Sequence, residues 1–260
     1  MKQPTICLRD VNLHYAALVF KERSLKSLVV NCFKKRKLTN DVKDVHALKN
    51  INVDIRGGER IGLLGHNGAG KSTFLRTVAG LYPISSGELK VEGEVRSLFD
   101  LSLGFEQDAT VSLGFEQDAT GRENILYRGL LLGLSPSDMH EHAEKIIEFA
   151  DLGEFIDYPI KTYSAGMQVR LAFSISTSVG GNILLLDEII GAGDAKFMSK
   201  AKQRIAQLID QADILVLASH DFHTLNSLCQ RGLVFYRGEV VFDGQISDAV
   251  NNYKKINGLS

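Results

Sequence analysis

Gly65-His66-Asn67-Gly68-Ala69-Gly70-Lys71-Ser72 follows the apolar run Ile61-Gly62-Leu63-Leu64 and opens into Thr73-Phe74-Leu75-Arg76. This order of buried strand, glycine-rich turn and helix start decides the fold. The glycines let successive backbone N–H groups turn toward one point, and the helix N-terminus adds the positive end of its dipole, so the loop can surround phosphate oxygens. The spacing puts Gly65, His66, Asn67, Gly68, Ala69 and Gly70 in the cradle and Lys71 on the β- and γ-phosphates. Ser72 falls on a Mg²⁺ ion and Thr73 beside the α-phosphate. The bare pattern arises by chance in roughly one such chain per hundred, and the strand and helix around it lower that further. A glycine-rich turn that only caps a helix is the weaker reading.

The next element outward is Ile183-Leu184-Leu185-Leu186-Asp187-Glu188, four apolar residues and then two carboxylates. Ligands of open α/β sheets bind beyond the carboxyl ends of the strands. Asp187 is therefore placed for the Mg²⁺ shell, and Glu188 to polarise a water in line with the γ-phosphate, as general base or orienting acceptor. Either carboxylate alone could simply cap the following turn; beside a phosphate loop the chemical roles are favoured. Ile214-Leu215-Val216-Leu217-Ala218 is a third buried-strand run, and helices between the runs make the class α/β with a parallel sheet. From about 121 to 162 the pattern becomes helical, with Ala143, Ile146, Ile147 and Ala150 on one face, and predicts a helical subdomain inserted into the sheet core. Gly232-Leu233-Val234-Phe235 and Val240-Val241-Phe242 flank Tyr236-Arg237-Gly238-Glu239 as a hairpin. Residues 1–250 are expected to form one domain, with a polar tail at 251–260.

The 260 residues are 44% hydrophobic and 23% charged, enough for one large core. A net charge of -1 removes any global electrostatic case for nucleic acid. Cys7, Cys32 and Cys229 lie far apart, against a disulfide framework or a zinc site, and suit a reducing cytosol. No secretory leader is expected at the start, and no apolar run approaches the ~20 residues of a spanning helix, so any membrane association is peripheral. Residues 101–110, LSLGFEQDAT, recur at 111–120 as VSLGFEQDAT; the match reads as a local duplication tolerated in a surface loop.

Tyr163-Ser164-Ala165-Gly166-Met167-Gln168, some twenty residues before Asp187, resembles the signature motif of ABC ATPases, usually LSGGQ. Gly191-Ala192-Gly193-Asp194 resembles their D-loop, and His220 in Ala218-Ser219-His220-Asp221 resembles their switch histidine. The resemblance spans about residues 5 to 250. It implies a P-loop NTPase fold, the ABC ATPase cassette, with the inserted helical subdomain and an N-terminal antiparallel β subdomain. It also implies ATP and Mg²⁺ as cofactors and a homodimer that sandwiches two ATP molecules. Ser164 and the Gly166 N–H, flanked by Ala165 and Met167, would cap the γ-phosphate of ATP held by the other copy, while Glu188 and His220 serve hydrolysis beside Asp194.

Tyr163-Ser164-Ala165-Gly166-Met167, the Gly191 to Phe197 stretch and Thr120-Gly121-Arg122-Glu123-Asn124 look like the subfamily that exports polysaccharides. That likeness implies an integral membrane permease as partner, a lipid-linked polysaccharide as cargo, and a peripheral place on the cytoplasmic face of the bacterial inner membrane. O-antigen is preferred over capsule or teichoic acid. A drug exporter or importer subunit is the alternative among transporters, and a soluble ABC protein on ribosomes or DNA is the rival outside them; that rival lacks support in a single cassette without coiled-coil arms.

Three further places matter, two of which depart from the family pattern. The glutamine that usually contacts Mg²⁺ falls in the duplicated stretch, where Gln117 or Glu116 of the second copy is expected to serve over Gln107 and Glu106. Tyr15 is the candidate to stack on adenine, with simple packing as the alternative. A segment inserted at about 16–45 carries eight Lys/Arg against three Asp/Glu between Lys21 and Asp44, and Leu25, Leu28, Val29, Cys32 and Phe33 share one helical face. Such a basic amphipathic helix suits an anionic membrane surface or lipid phosphates, or else covers the cassette's own sheet.

Overall fold

The computed structural model describes residues 3–18, 42–99, 114–131, 135–187 and 195–258. Along the chain come β1 (Thr5–Leu18), β2 (Val42–Arg56), β3 (Arg60–Leu64), α1 (Lys71–Val78), β4 (Ser86–Glu92) and β5 (Val95–Ser97). The helical stretch holds α2 (Gly121–Leu131), α3 (Pro136–Ala150), two short 3₁₀ turns (Gly153–Asp157 and Ile160–Thr162) and α4 (Ala165–Ser176). Then follow β6 (Ile183–Asp187), α5 (Ala195–Gln211), β7 (Ile214–Ala218), α6 (Phe222–Leu228), β8 (Arg231–Tyr236), β9 (Glu239–Gln245) and α7 (Ile246–Ile256).

The central six-stranded sheet has the order β5-β6-β7-β3-β8-β9, parallel except for the β8–β9 hairpin. Its inner strands are mostly apolar because both faces are covered, with charged residues only at their ends: every residue of β7 and the first four of β6 are buried. The antiparallel subdomain expected at the N-terminus is a three-stranded sheet, β2-β1-β4. Strands β1 and β2 stay paired as far as Leu18 and Val42, so the strand pair runs into the range assigned to the 16–45 insertion. The amphipathic helix expected at 25–33, the first copy of the duplication, Glu188 and Asp194 lie outside the described residues.

Apolar burial falls into three clusters. One lies between the two sheets and α1, around Phe74, Leu75, Ile61 and Phe235. A second lies on the opposite face of the central sheet, where α5 and α7 cover Leu184, Leu215 and Leu217. Here Gly62 and Gly232 are parallel partners on β3 and β8, and a Cβ would meet Ile246 Cδ1 at 2.8 Å and Ala249 Cβ at 2.5 Å, respectively. Two missing side chains thus let α7 lie directly on the sheet. The third cluster is the core of the helical subdomain, built from Ile125, Met139, Ile146, Ile156 and Ile160. Helix α4 is shared, with Leu171, Ala172 and Ile175 in the helical core and Phe173 in the cluster under the sheet.

Local chemistry sets the ends of these helices. Ser135 caps α3 in a reciprocal capping box with Asp138, followed by Pro136 at the first turn. Ser164 caps α4, accepting the Met167 N–H at 3.3 Å. No described helix is long and apolar enough to cross a membrane.

Candidate functional site

A cavity of about 510 Å³ opens at the carboxyl ends of the central strands, between the two sheets. The turn from Gly65 to Gly70 bends through left-handed backbone at Gly68 and Gly70, with φ of 78° and 113°, which glycine adopts freely. Asn67 to Gly70 then feed directly into Lys71, Ser72 and Thr73 at the start of α1, and all seven residues line the cavity. Helix α1 has no side-chain cap and no acidic residue in its first turn. Its N-terminal donors therefore face the cavity, an arrangement that selects an anion.

Lys71 is only 8% exposed, and its ammonium donates to the carbonyls of Gly65 at 2.5 Å and His66 at 3.2 Å. The loop's own carbonyls hold the charge in place, with its stem along the loop. Asp187 lines the wall across from Ser72, and Ser219 and His220 line it beyond the end of β7. Parallel pairing of β6 with β7 sets Asp187 beside Ala218, so the acid and His220 reach the same opening. Tyr15 and Val45 are cross-strand partners in the antiparallel sheet and close the other end of the cavity. Tyr15 is 45% exposed and lies within the β1–β2 pair, which continues three residues beyond it. A ring held there offers an aromatic face to a base. Replacing Tyr15 by Ala is expected to weaken ATP binding by roughly 3- to 10-fold, the worth of one aromatic stack. Titration with a fluorescent ATP analogue checks it, and unchanged affinity would leave Tyr15 a packing residue.

Several cavity residues carry no local signal in the sequence. Val45, His46 and Ala47 come from β2, and Arg237 and Gly238 from the tip of the β8–β9 hairpin. Arg237 and Gly238 both have positive φ, 50° and 87°, the backbone of a type I′ turn. Gly238 donates its N–H to the Ala69 carbonyl at 2.9 Å and accepts the Lys49 N–H at 2.8 Å, so the hairpin tip pins the phosphate loop to β2. A Cβ at Gly238 would stand 2.7 Å from the Ala47 carbonyl, which leaves room for glycine alone.

The signature residues stand apart from this cavity. Ser164, Ala165 and Gly166 are exposed and Met167 half-buried at the N-terminus of α4, and none of them lines the cavity. Tyr163, where the family pattern has leucine, is buried; its hydroxyl donates to the Phe155 carbonyl at 2.6 Å, and burial pushes its pKa up to about 12. The tyrosine is thus neutral at any working pH and ties the entry of α4 to the helical subdomain. Gln117 is half-buried and its carbonyl accepts the Lys161 N–H at 3.0 Å; Glu116 is exposed, with its N–H on Asn124 Oδ1 at 2.8 Å. Neither lines the cavity. Buried Asn124 donates to the carbonyls of Glu116, Ala119 and Thr120, which ties the end of the second copy of the duplication to α2.

The donor set suits ATP with a small hard cation. Ser72 and Asp187 offer a hydroxyl and a carboxylate to one opening, and no group of three or more His, Cys, Asp or Glu that could hold a metal occurs among the described residues. Mg²⁺ is commonly held by one or two protein oxygens together with nucleotide phosphates and water.

A family model described as ABC transporter matches residues 48–191. The O-antigen export system ATP-binding protein RfbE of Yersinia enterocolitica is 39% identical over 230 residues, covering 87% of this chain and 92% of RfbE. The teichoic acids export ATP-binding protein TagH of Lactococcus lactis is 35% identical over 213 residues, covering 82% of this chain and 43% of TagH. Among solved structures, the ATP-binding cassette MJ0796, a dimer in a post-hydrolysis state with ADP and Pi, superposes with a TM-score of 0.61 at 20% identity, over 93% of this chain and 98% of that one. With the phosphate loop, the acid-ended strand and the capped signature helix in the family's order, the chain belongs to the ABC transporter family, as one of its ATP-binding cassettes.

Proposed function

We propose that this chain is the ATP-hydrolysing subunit of an exporter for a lipid-linked polysaccharide, O-antigen being the preferred polymer, and that it works as a homodimer with an integral membrane permease at the cytoplasmic face of the bacterial inner membrane. The observation that carries the motor reading is the separation of its two half-sites. The cavity is lined by a phosphate loop, Asp187 and His220, while Ser164 caps an exposed helix N-terminus whose residues take no part in that lining. A helix N-terminus with a serine cap and two small residues, Ala165 and Gly166, is suited to grip phosphate supplied by another molecule. A second copy of the chain supplies it, since the missing half of each cavity is then the partner's helix.

The residues divide the work. Lys71 and the loop N–H groups bind the β- and γ-phosphates, and Thr73 lies toward the α-phosphate. Ser72 and Asp187 hold Mg²⁺, which supplies charge neutralisation on the phosphate oxygens when bound. Glu188, directly after Asp187, takes the proton of the attacking water or orients it, and His220 contacts the γ-phosphate and registers its loss. Closure around two ATP molecules and reopening after hydrolysis give two states of one element, and the helical subdomain carries the difference to the permease. The polymer class rests on the likeness to RfbE, named for O-antigen export, and to TagH, named for teichoic acids export.

The reading is tested in a host lacking the chain, complemented with wild type or Glu188→Gln. Wild type is expected to restore polymer at the cell surface, and the variant to leave lipid-linked polymer inside. Surface polymer that never depended on the chain would reject the export reading. Copurification of nucleic acid in place of a polytopic membrane protein would reject the transporter reading as well.

A further inference from the structure

We propose that Arg170 is a positioning residue that locks three helices into one joint, so that the grip of Ser164 on a partner's nucleotide reaches the segment behind the chain's own Glu188. The inference rests on the two-copy reading above. Arg170 lies on α4 six residues beyond the Ser164 cap, about 9 Å along the helix axis. Its side chain is 20% exposed. Nε donates to the Ala150 carbonyl at 2.9 Å and Nη2 to the Asp151 carbonyl at 2.6 Å, with Asp151 Oδ2 at 3.4 Å. These carbonyls end α3, where Asp151 turns into left-handed backbone at φ 52°. The last carbonyls of a helix have no partner within it. Here a neighbouring helix supplies the donors, and Lys200 of α5 adds a third bond, to the Phe149 carbonyl at 3.3 Å.

Beneath these cations each helix contributes one phenylalanine. Phe149 of α3, Phe173 of α4 and Phe197 of α5 form a closed triangle with ring centroids 5.9, 5.6 and 5.9 Å apart. The Arg170 guanidinium lies 5.4 Å from the Phe197 ring centre, and Lys200 and Arg204 each lie 5.0 Å from that of Phe149. Three rings packed this way leave no helix free to slide past the other two, and the cations above them add attraction to the ring faces. The elements these three helices belong to explain what the joint connects. Helix α3 belongs to the helical subdomain, α4 starts at Ser164, and α5 starts directly after Asp194, at the end of the segment that leaves β6 through Glu188.

A displacement of Ser164 is therefore passed through Arg170 and Phe197 to α5, and from there to the hydrolytic segment of the same chain. This predicts cooperativity between the two sites of the dimer, with Arg170 as the coupling residue and no contact of its own with nucleotide.

Arg170→Met keeps the apolar stem and removes the fork. With folding checked by melting temperature, it is expected to lower kcat at least about tenfold, with ATP affinity within about twofold of wild type and a Hill coefficient reduced toward about 1. Arg170→Lys keeps the charge without the planar fork and is expected to fall between the two. A loss of packing alone would lower affinity and rate together and leave cooperativity unchanged; that result, or a kcat and Hill coefficient like wild type, overturns the proposal. If the Met variant does not fold, the Lys variant carries the same test. An ATP-dependent dimer of Glu188→Gln that survives addition of Arg170→Met with full cooperativity of binding also overturns it. A Glu188→Gln chain that stays monomeric with ATP overturns both this coupling and the two-copy reading beneath it.

Discussion

Lys71→Met is expected to lower ATP turnover by at least about 10²- to 10³-fold, the usual loss when one preorganised donor to a developing anion is deleted, and to weaken nucleotide binding as well. The side chain is almost fully buried, and its ammonium is already fixed by two loop carbonyls. Binding ATP then needs no reorganisation beyond exchange of those carbonyls for phosphate oxygens. Methionine fills the same volume without a charge, so the loop keeps its packing while the β- and γ-phosphates lose their cation. Phosphate release under saturating ATP and Mg²⁺, beside a fluorescent nucleotide titration, measures both effects. Turnover within tenfold of wild type would mean that the loop N–H groups alone carry the phosphate charge.

Glu188→Gln is expected to act on the rate alone, lowering turnover by about 10²- to 10⁴-fold, the range for loss of a general base, while ATP affinity stays within about twofold. Glutamine keeps the shape and can still orient a water, but cannot accept its proton. Its neighbour in sequence, Asp187, lines the cavity at the end of β6, whose first four residues are buried. Blocking hydrolysis while preserving binding should accumulate the ATP-bound dimer, seen by size-exclusion chromatography with ATP and Mg²⁺. Adding Ser164→Arg, which puts a bulky cation at the cap of α4, should disperse that dimer. A single variant that turns over ATP normally would remove Glu188 from the chemistry, and a dimer indifferent to Ser164→Arg would remove α4 from the interface.

The phosphate loop, the acid-ended strand and the Ser164 cap were legible as strings because each is a local structure. Glycines that permit left-handed backbone, a helix start, and alternating or continuous apolar runs act over a few residues. Asp187 was legible as the acid at the end of a buried strand, and His220 through its resemblance to the family's switch histidine; the parallel pairing of β6 with β7 brings both to one opening. Tyr15 was legible as an aromatic near the first strand; its role as the wall of the cavity depends on the register that pairs it with Val45. Arg237 and Gly238 read only as a hairpin turn. The place of the turn beside the cavity comes from hydrogen bonds of Gly238 to Ala69 and Lys49, 169 and 189 residues earlier in the chain.

What the linear order of residues determines here is therefore the class of fold, the candidate phosphate-binding and acidic groups, and the family, since each is written in contiguous residues whose backbone preferences and periodicity are local. Packing alone settles the rest: which hairpin tip pins the phosphate loop, which faces of β2 wall the cavity, and how Arg170 and three phenylalanines from separate helices meet. Those contacts join residues far apart in sequence, and they form only when burial of the three apolar clusters brings the elements together.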